Sequence, residues 1–320
     1  MHTQTKTSPK TCLPAGRPFL KWAGGKGQLI NQIKEYLPPE IVAAKRIEKY
    51  FEPFVGGGAV FFWLSQHYPI KKAYLYDINP EIITAYQTIR DRVRELIKEL
   101  QQLEEQYFKI RPPRREKFFY DRRTEYNNFI SVRIKNHLVR RTALMIFLNK
   151  TCFNGLFRVN SQGLFNVPFG RYANPTICDE ENLRAVSVAL QGAEIEVKDF
   201  KHCLKKADAN SLVYFDPPYR PISKTANFTA YIKDGFSDKD QKRLKKVCDE
   251  LSEMGAKVIL SNSDPKNVDP EDDFFDELFS QKQYKIRRLD ATRMINCNSE
   301  KRGMIKEILV RNYPLLKEPK

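Results

Sequence analysis

Short apolar strands alternate with amphipathic helices along most of this chain, and this alternation limits the folds that it can adopt. A helix between two of the strands begins at a predicted capping box, Ser237 with Asp240, and ends at Gly255. Strands that alternate with helices form a mostly parallel sheet with both faces covered. The sequence therefore predicts an α/β fold whose last two strands, with no helix between them, pair antiparallel at an edge. The predicted strands lie at Tyr50-Phe51 and at residues 73–76, 194–197, 212–215, 257–261, 284–289 and 305–311.

A block of different composition interrupts the alternation. The long helix that opens at Asn79-Pro80 leads into a basic segment, which is followed by a stretch rich in Gly and Asn at residues 151–172. A polar stretch without apolar periodicity at the start of the chain is typical of a mobile tail. The predicted organisation is a tail at 1–16, one α/β domain at 17–90 and 190–313, an inserted helical and loop domain at 91–189, and a C-terminal tail at 314–320.

The charge of the chain points to a polyanionic partner. Lys and Arg number 55 against 39 Asp and Glu, and residues 109–146 hold eleven basic and three acidic side chains. Such an excess is typical of nucleic-acid binding and less often of an anionic membrane surface. No apolar run reaches the ~18 residues of a membrane span, and no signal peptide is evident. The six cysteines lie far apart, without metal-ligand spacing. We expect a cytoplasmic protein with no membrane and no metal.

The motif Asp216-Pro217-Pro218-Tyr219 directly follows the apolar strand 211–215. Ligands of open α/β sheets bind beyond the carboxyl ends of the strands. The carboxylate of Asp216 and the carbonyl of Pro217 can each accept a hydrogen bond from one exocyclic amine. Two such hydrogen bonds favour a pyramidal, nucleophilic nitrogen. Tyr219 offers a flat face on which an extruded base can stack. The sequence predicts a catalytic role for Asp216, Pro217 and Tyr219, whereas the alternative for the motif is an ordinary proline-rich turn.

A second motif, residues 52–58, places three glycines where a strand turns into a helix. Phe54, Gly56 and Gly58 belong to this turn, at which a backbone can approach a ligand closely. Asp77 lies about 20 residues further on, at the end of the next strand, where it is placed to accept hydrogen bonds from ribose hydroxyls. The spacing differs from that of a dinucleotide fingerprint, and residues 22–27 lack the Ser or Thr of a P-loop. The pattern favours an adenosine cofactor other than NAD.

The chain resembles the Dam-type, GATC-type (DpnII-like) adenine-N6 DNA methyltransferases. Five motifs appear in the order typical of this family. The resemblance implies a Rossmann-like, S-adenosylmethionine-dependent methyltransferase sheet with an inserted target-recognition domain, and methyl transfer to adenine in double-stranded DNA by a monomer. The motifs are Phe19-Leu20-Lys21-Trp22-Ala23-Gly24-Gly25-Lys26, residues 52–58, Asp77-Ile78-Asn79, residues 154–160 with 163–168, and Asp216-Pro217-Pro218-Tyr219.

The resemblance also implies roles for individual residues. In the S-adenosylmethionine site it places Trp22, Lys26, Asp77 and Asp216, with Asp199 and Phe200 as further contacts. It implies that Arg158 reads a guanine, that Leu156 and Pro168 meet a thymine methyl, and that Lys21 lies near another base, in agreement with the hydrogen-bond code of the major groove. Phe153 is the predicted wedge that enters the base stack. Asn154 and Asn160 complete the predicted DNA-binding set.

Several alternatives stay open at this point. Trp22, Phe153, Leu156 and Pro168 can belong to the core, Arg158 can pair with a carboxylate, and Lys26 can be a solvated surface charge. A cytosine-N4 methyltransferase faces the same electronic problem at its amine, and a catalytically silent DNA-binding protein can share the fold. The loop 220–236, with Asn227-Phe228, is expected to close over the bound base. Val159 and Gln162 lie where the family varies, which leaves the preferred DNA sequence beyond GATC undefined.

Overall fold

The computed structural model of the protein describes residues 15–22, 26–131, 137–220, 236–292 and 304–318. A seven-stranded sheet lies at its centre. The strands are β1 Ile47–Glu52, β2 Ile70–Asp77, β3 Glu194–Val197, β4 Ser211–Phe215, β5 Lys257–Ser263, β6 Lys285–Thr292 and β7 Met304–Arg311, in the order β3-β2-β1-β4-β5-β7-β6. Strand β7 is antiparallel to both of its neighbours, β5 and β6, and the remaining strands are parallel. The predicted α/β class and the antiparallel pairing of the last two strands are confirmed.

Two of the helices begin where the sequence places capping residues. Asn79 accepts a hydrogen bond from the backbone N–H of Glu81 at 2.9 Å, and Ser237 and Asp240 cap each other reciprocally. A 3-10 helix ends at Tyr36, and Pro39 starts a new helix, because proline lacks only an N–H that the first helical turn leaves unused. The helices are α1 Ile30–Ile33, α2 Pro39–Ala44, α3 Ala59–His67, α4 Pro80–Lys109, α5 Arg115–Ser131, α6 Leu138–Thr151, α7 Glu180–Ala189, α8 Asp238–Glu253 and α9 Phe274–Leu278.

The sheet buries both of its faces. All five residues of β4 are buried, and they alternate between two apolar clusters. Leu212 and Tyr214 pack into one cluster, whereas Val213 and Phe215 pack into the other. Because successive side chains of a strand point to opposite faces, this division means that helices cover the sheet on both sides. The doubly wound, Rossmann-like arrangement accounts for the continuous apolar runs in the sequence.

The region 91–189 is built on α4, which crosses the predicted boundary at residues 90/91 without ending. Its helical geometry is interrupted only at Arg92 (φ −137°, ψ 35°), and α7 ends at Ala189, beside the other predicted boundary. Several arginines of the basic segment serve the fold here. Arg140 pairs with Glu99 and Glu125, and Arg141 pairs with Glu81. Part of the positive charge that suggested a DNA surface is therefore neutralised within the protein.

The order of the strands reverses between β1 and β4. From β1 the chain continues outward to β2 and β3, and from β4 it continues in the other direction to β5. Such a switch point leaves a crevice beyond the carboxyl ends of the two central strands. The glycine turn that follows β1 and the motif that follows β4 both open onto this crevice. No helix in the described ranges is long and apolar enough to span a membrane.

Candidate active site

Three parts of the chain that are distant in sequence meet at the crevice. Lys26 comes from a short 3-10 helix, Lys26–Gln28, and Asp216 and Tyr219 follow β4. Glu307 lies near the start of β7, opposite Ser263 near the end of β5. Because β7 runs against the other strands, its first residues reach the edge at which the parallel strands end. A charged cluster therefore forms at the switch point.

Lys26 is the centre of this cluster. Its ammonium group lies 2.7 Å from Asp216 Oδ1 and 3.6 Å from Glu307 Oε2, and it donates a hydrogen bond to the Tyr219 hydroxyl at 2.8 Å. The same ammonium lies 4.7 Å from the centre of the Tyr219 ring. The Lys26 side chain is only 2% exposed, so the alternative of a solvated surface charge is wrong. The structure brings together Lys26, Asp216 and Tyr219, which the sequence predicted for one site.

Burial and neighbouring charges set the protonation of the cluster. Burial alone would lower the pKa of Lys26, but Asp216 and Glu307 outweigh it and hold that pKa above its usual value. Burial raises the pKa of Asp216, and the ammonium of Lys26 opposes that rise. Burial, followed by the charges of Asp216 and Glu307, raises the pKa of Tyr219. Tyr219 is therefore a neutral phenol, suited to stacking and hydrogen bonding rather than to proton abstraction.

A second layer of buried polar groups supports Asp216 and its loop. Ser261 on β5 donates to Asp216 Oδ1 at 3.3 Å and shares a hydrogen bond of 2.9 Å with the hydroxyl of Tyr214. The Asn262 side chain accepts from the backbone N–H of Arg220 at 3.4 Å, and that of Gln241 donates to the carbonyl of Pro218 at 3.5 Å. These contacts orient the carboxylate toward the crevice, much as outer ligands orient a metal site.

The glycine turn after β1 forms a second wall of the crevice. Gly58 has φ +67°, and a Cβ there would collide with the hydroxyl of Tyr86. A Cβ on Gly56 would lie 2.8 Å from the Trp22 ring, and the Phe54 ring stacks on Phe200 with ring centres 5.4 Å apart. Glycine is therefore required at these two positions, because aromatic side chains pack directly against the backbone of the turn.

Asp77 closes this wall from the end of β2. Its carboxylate accepts hydrogen bonds from the backbone N–H of Gly56 at 3.0 Å and of Asn79 at 2.9 Å. Each carboxylate oxygen can accept a further hydrogen bond. Burial, opposed by these backbone donors, raises the pKa of Asp77 to about 6. Asp199, by contrast, caps the 3-10 helix Phe200–Lys205 and pairs with Arg243 at 2.9 Å, so much of its hydrogen-bonding capacity is used within the fold.

A protruding turn after α6 carries the residues predicted to contact DNA. Phe153 is 51% exposed, and Asn154 and Pro168 are also exposed. The backbone N–H of Phe153 donates to the carbonyl of Pro168 at 2.8 Å, which joins the two predicted contact segments. The alternative that Phe153 and Pro168 belong to the core is wrong. Leu156 is half-buried, and the ring of Trp22 stacks on Phe157 with centres 5.5 Å apart.

Arg158 and Asn160 differ in how free their side chains are. The guanidinium of Arg158 is exposed and donates through Nε to Asn166 Oδ1 at 2.8 Å. An amide oxygen, and not a carboxylate as in the alternative, thus orients this side chain. Asn160 accepts hydrogen bonds from the backbone N–H groups of Gln162 and Leu164, both at 3.0 Å. Asn160 therefore shapes the turn that precedes Pro168, and its contact with DNA stays a prediction.

Sequence reasoning missed Glu307, Ser261, Asn262 and Gln241. A lone carboxylate within the apolar strand Ile305–Val310 was the available signal for Glu307. Residues 221–235 of the predicted closing loop 220–236, with Asn227-Phe228, lie outside the described residues. Within the described part of the chain, no group of three or more His, Cys, Asp or Glu side chains could hold a metal ion.

Comparisons with known proteins identify the family and several relatives of the chain. The model of the family described as D12 class N6 adenine-specific DNA methyltransferase matches residues 22–295. The type II methyltransferase M.MjaIII of Methanocaldococcus jannaschii is 47% identical over 93% of this chain and 99% of its own length. The type II methyltransferase M1.LlaDCHI of Lactococcus lactis subsp. cremoris is 38% identical over 93% and 95%. The DNA adenine methylase of Escherichia coli K12 is 32% identical over 95% and 98%.

Proposed function

Because the chain belongs to the D12 class of N6 adenine-specific DNA methyltransferases, we propose that it methylates the adenine of GATC in double-stranded DNA. The proposed methyl donor is S-adenosylmethionine, and the adenine leaves the base stack before the reaction. We further propose that the protein acts as a monomer in the cytoplasm. The observation that carries this proposal is the partly buried Asp216, held by Lys26 beside the Tyr219 ring at the switch point of the sheet.

Asp216 acts on the amine of the base. Its carboxylate and the carbonyl of Pro217 each accept a hydrogen bond from the N6 amine. These two hydrogen bonds draw the nitrogen lone pair out of conjugation with the ring. Lys26 and Ser261 fix the carboxylate, so that no reorganisation is needed when the nitrogen attacks. Tyr219 stacks on the base, and its raised pKa keeps the phenol neutral. As the nitrogen would bond to the methyl carbon, the bond from sulfur to that carbon would break, S-adenosylhomocysteine would leave, and the methylated amine, now a strong acid, would lose one proton to water. The reaction therefore requires orientation rather than a strong base.

The other wall of the crevice fits an adenosine cofactor with a sulfonium centre. S-adenosylmethionine supplies an electrophilic methyl group when it is bound. In the charged cluster, the ammonium of Lys26 faces two carboxylates, those of Asp216 and Glu307, so the cluster carries an excess of negative charge. The chain as a whole has a net charge of +16. A cation is therefore favoured there. Asp77 would accept hydrogen bonds from the ribose hydroxyls, and Asp199 would lie at the margin of the site. The cofactor would be surrounded by Trp22, Phe54, Gly56, Gly58 and Phe200.

The protruding turn is suited to reading the duplex. Arg158 can donate two hydrogen bonds to O6 and N7 of guanine, and the apolar side chains of Leu156 and Pro168 can meet the methyl of thymine. Phe153, half exposed at the tip, is the proposed wedge that fills the space left by the adenine. Lys21, Asn154 and Asn160 complete the proposed surface.

Transfer from labelled S-adenosylmethionine to three matched duplexes tests the proposal. One duplex carries GATC, the second carries the same bases scrambled, and the third is already N6-methylated at the site. Label in the first duplex alone is the expected result. Label in the scrambled duplex as well would overturn the proposed readout, and label in none would overturn the proposed reaction.

Loss of the Arg158 side chain is expected to relax specificity. In Arg158→Ala the preference for GATC over a duplex with its guanine replaced should fall by about 10- to 100-fold, since one bidentate contact is lost. The measurement is kcat/KM on both duplexes. Arg184→Ala is the matched control, because Arg184 is an exposed arginine of α7 paired with Glu180. An unchanged preference in Arg158→Ala would contradict the assignment.

Cofactor binding is expected to weaken in acid. Asp77 has a pKa of about 6, so its carboxyl group is mostly protonated below this pH. In that form it is a poor acceptor of hydrogen bonds from the ribose hydroxyls. The affinity for S-adenosylmethionine should be close to full above pH 7, fall to about half near pH 6, and be about tenfold lower at pH 5 than at pH 7. Calorimetric titration over this range measures the change. Asp77→Asn should bind more weakly, with no such dependence on pH, and the same slope in both proteins would exclude Asp77 as the cause.

A further inference from the structure

A buried amide on α6 joins the protruding turn to the segment that precedes Lys26. Asn149 is completely buried in the last turn of α6. Its Oδ1 accepts from the backbone N–H of Lys21 at 2.8 Å. Its Nδ2 donates to the carbonyls of Lys21 at 2.9 Å and of Gly155 at 2.8 Å. One side chain therefore ties two backbone segments that are about 130 residues apart.

These two segments carry opposite sides of the proposed site. The turn Phe153–Gly155 holds the wedge residue and leads to Leu156 and Arg158, whereas Lys21 precedes Trp22, whose ring packs on Gly56 and stacks on Phe157. The segments also touch directly, because Gly155 has φ +63° and a Cβ there would collide with the side chain of Lys21. Asn149 thus fixes the distance between the turn and the wall of the cofactor pocket.

We propose that Asn149 is a positioning residue that holds the DNA-reading turn in register with the catalytic crevice and thereby sustains sequence discrimination. The inference rests on the proposed function, since it assumes that residues 153–158 read DNA. Only an uncharged amide supplies one acceptor and two donors at this point. A carboxylate of the same shape would keep the bond from the Lys21 N–H, lose both donors and face two carbonyl oxygens. The turn would then be released without a change in side-chain volume.

Asn149→Asp tests the proposal. We expect the ratio of kcat/KM for GATC to that for a duplex with one base pair changed to fall by about 10- to 100-fold, since small displacements of positioned groups have effects of this size. The affinity for S-adenosylmethionine without DNA should change less than about threefold. A general loss of stability would lower the activity on both duplexes equally and would leave the ratio unchanged.

Thr142→Val is the matched control. Thr142 is buried in the same helix and hydrogen-bonds Thr88 of α4 at 3.1 Å, away from the turn. The valine removes a buried hydrogen bond at equal volume and should leave the ratio unchanged. Gly155→Ala is the second test, because its Cβ pushes the turn away from Lys21 without placing a charge in the core. It should also lower the ratio.

The outcomes separate this inference from the proposed function. A wild-type protein without preference among duplexes would overturn the proposed function itself. A selective wild type with equally selective Asn149→Asp and Gly155→Ala variants would overturn the role of Asn149 alone. Failure of both variants to fold would overturn it as well, because Asn149 would then serve the core rather than recognition.

Discussion

Replacing Asp216 with alanine is expected to lower kcat by about a thousandfold or more. The variant loses the carboxylate that is proposed to accept a hydrogen bond from the adenine amine, so the nitrogen lone pair should stay delocalised in the ring. The Kd for duplex DNA should change less than about threefold, since contacts between cationic side chains and phosphates supply most of such affinity. Single-turnover methyl transfer and a DNA-binding titration at one salt concentration measure the two quantities.

Asp216→Asn is the informative companion to this variant. The amide keeps the shape and one acceptor, but it can turn its NH2 group toward either the base or the Lys26 ammonium, which lies 2.7 Å from Asp216 Oδ1. We expect an intermediate loss of kcat. Turnover of Asp216→Ala at the wild-type rate would refute the mechanism, and a loss of DNA affinity equal to the loss of kcat would show that Asp216 supports binding instead.

Replacing Lys26 with methionine is expected to destabilise the protein by about 3–5 kcal/mol and to suppress methylation. Lys26 is 2% exposed, and the carboxylates that it neutralises are 20% and 11% exposed. Without the ammonium, Asp216 and Glu307 repel each other in a poorly solvated site. Urea denaturation, followed by tryptophan fluorescence, gives the loss in the free energy of unfolding.

The double variant Lys26→Met/Glu307→Gln is the control for this explanation. It removes the ammonium together with one of the two carboxylates, so the repulsion disappears and much of the stability should return. Methylation should stay low, because Asp216 has lost the donor that orients it. If the double variant is as unstable as Lys26→Met, packing of the lysine stem accounts for the effect and the charge balance does not.

The parts of the site that adjoin strand ends were predictable from the sequence. The apolar run before Asp216 and the glycines after β1 each mark a strand that ends in a turn, and parallel strands end at one edge of the sheet. Local sequence therefore placed Asp216, Gly56 and Asp77 at one edge. Nothing local placed Lys26 there, and the resemblance to the family supplied that residue.

Glu307 and Asn149 were not predictable because their roles arise from long-range packing. The position of Glu307 depends on β7 entering the sheet between β5 and β6 in the reverse direction. Asn149 resembles any polar residue of a helix end until the bonds to Lys21 and Gly155 are seen. In the basic segment, the sequence suggested more free positive charge than the structure shows. Arginines such as Arg140 are paired with carboxylates of the fold, and the clustering of basic residues in the sequence did not reveal these pairs.

The insertion of β7 also determines when the enzyme can first work during its own synthesis. Strand β6 leaves the ribosome before β7, yet among the described strands only β7 adjoins it in the sheet. An emerging chain that stops short of Glu307 has an unpaired strand and an incomplete charged cluster beside Asp216. We therefore expect nascent chains to need protection of that strand against wrong pairing, and to begin methylation only after β7 has been made.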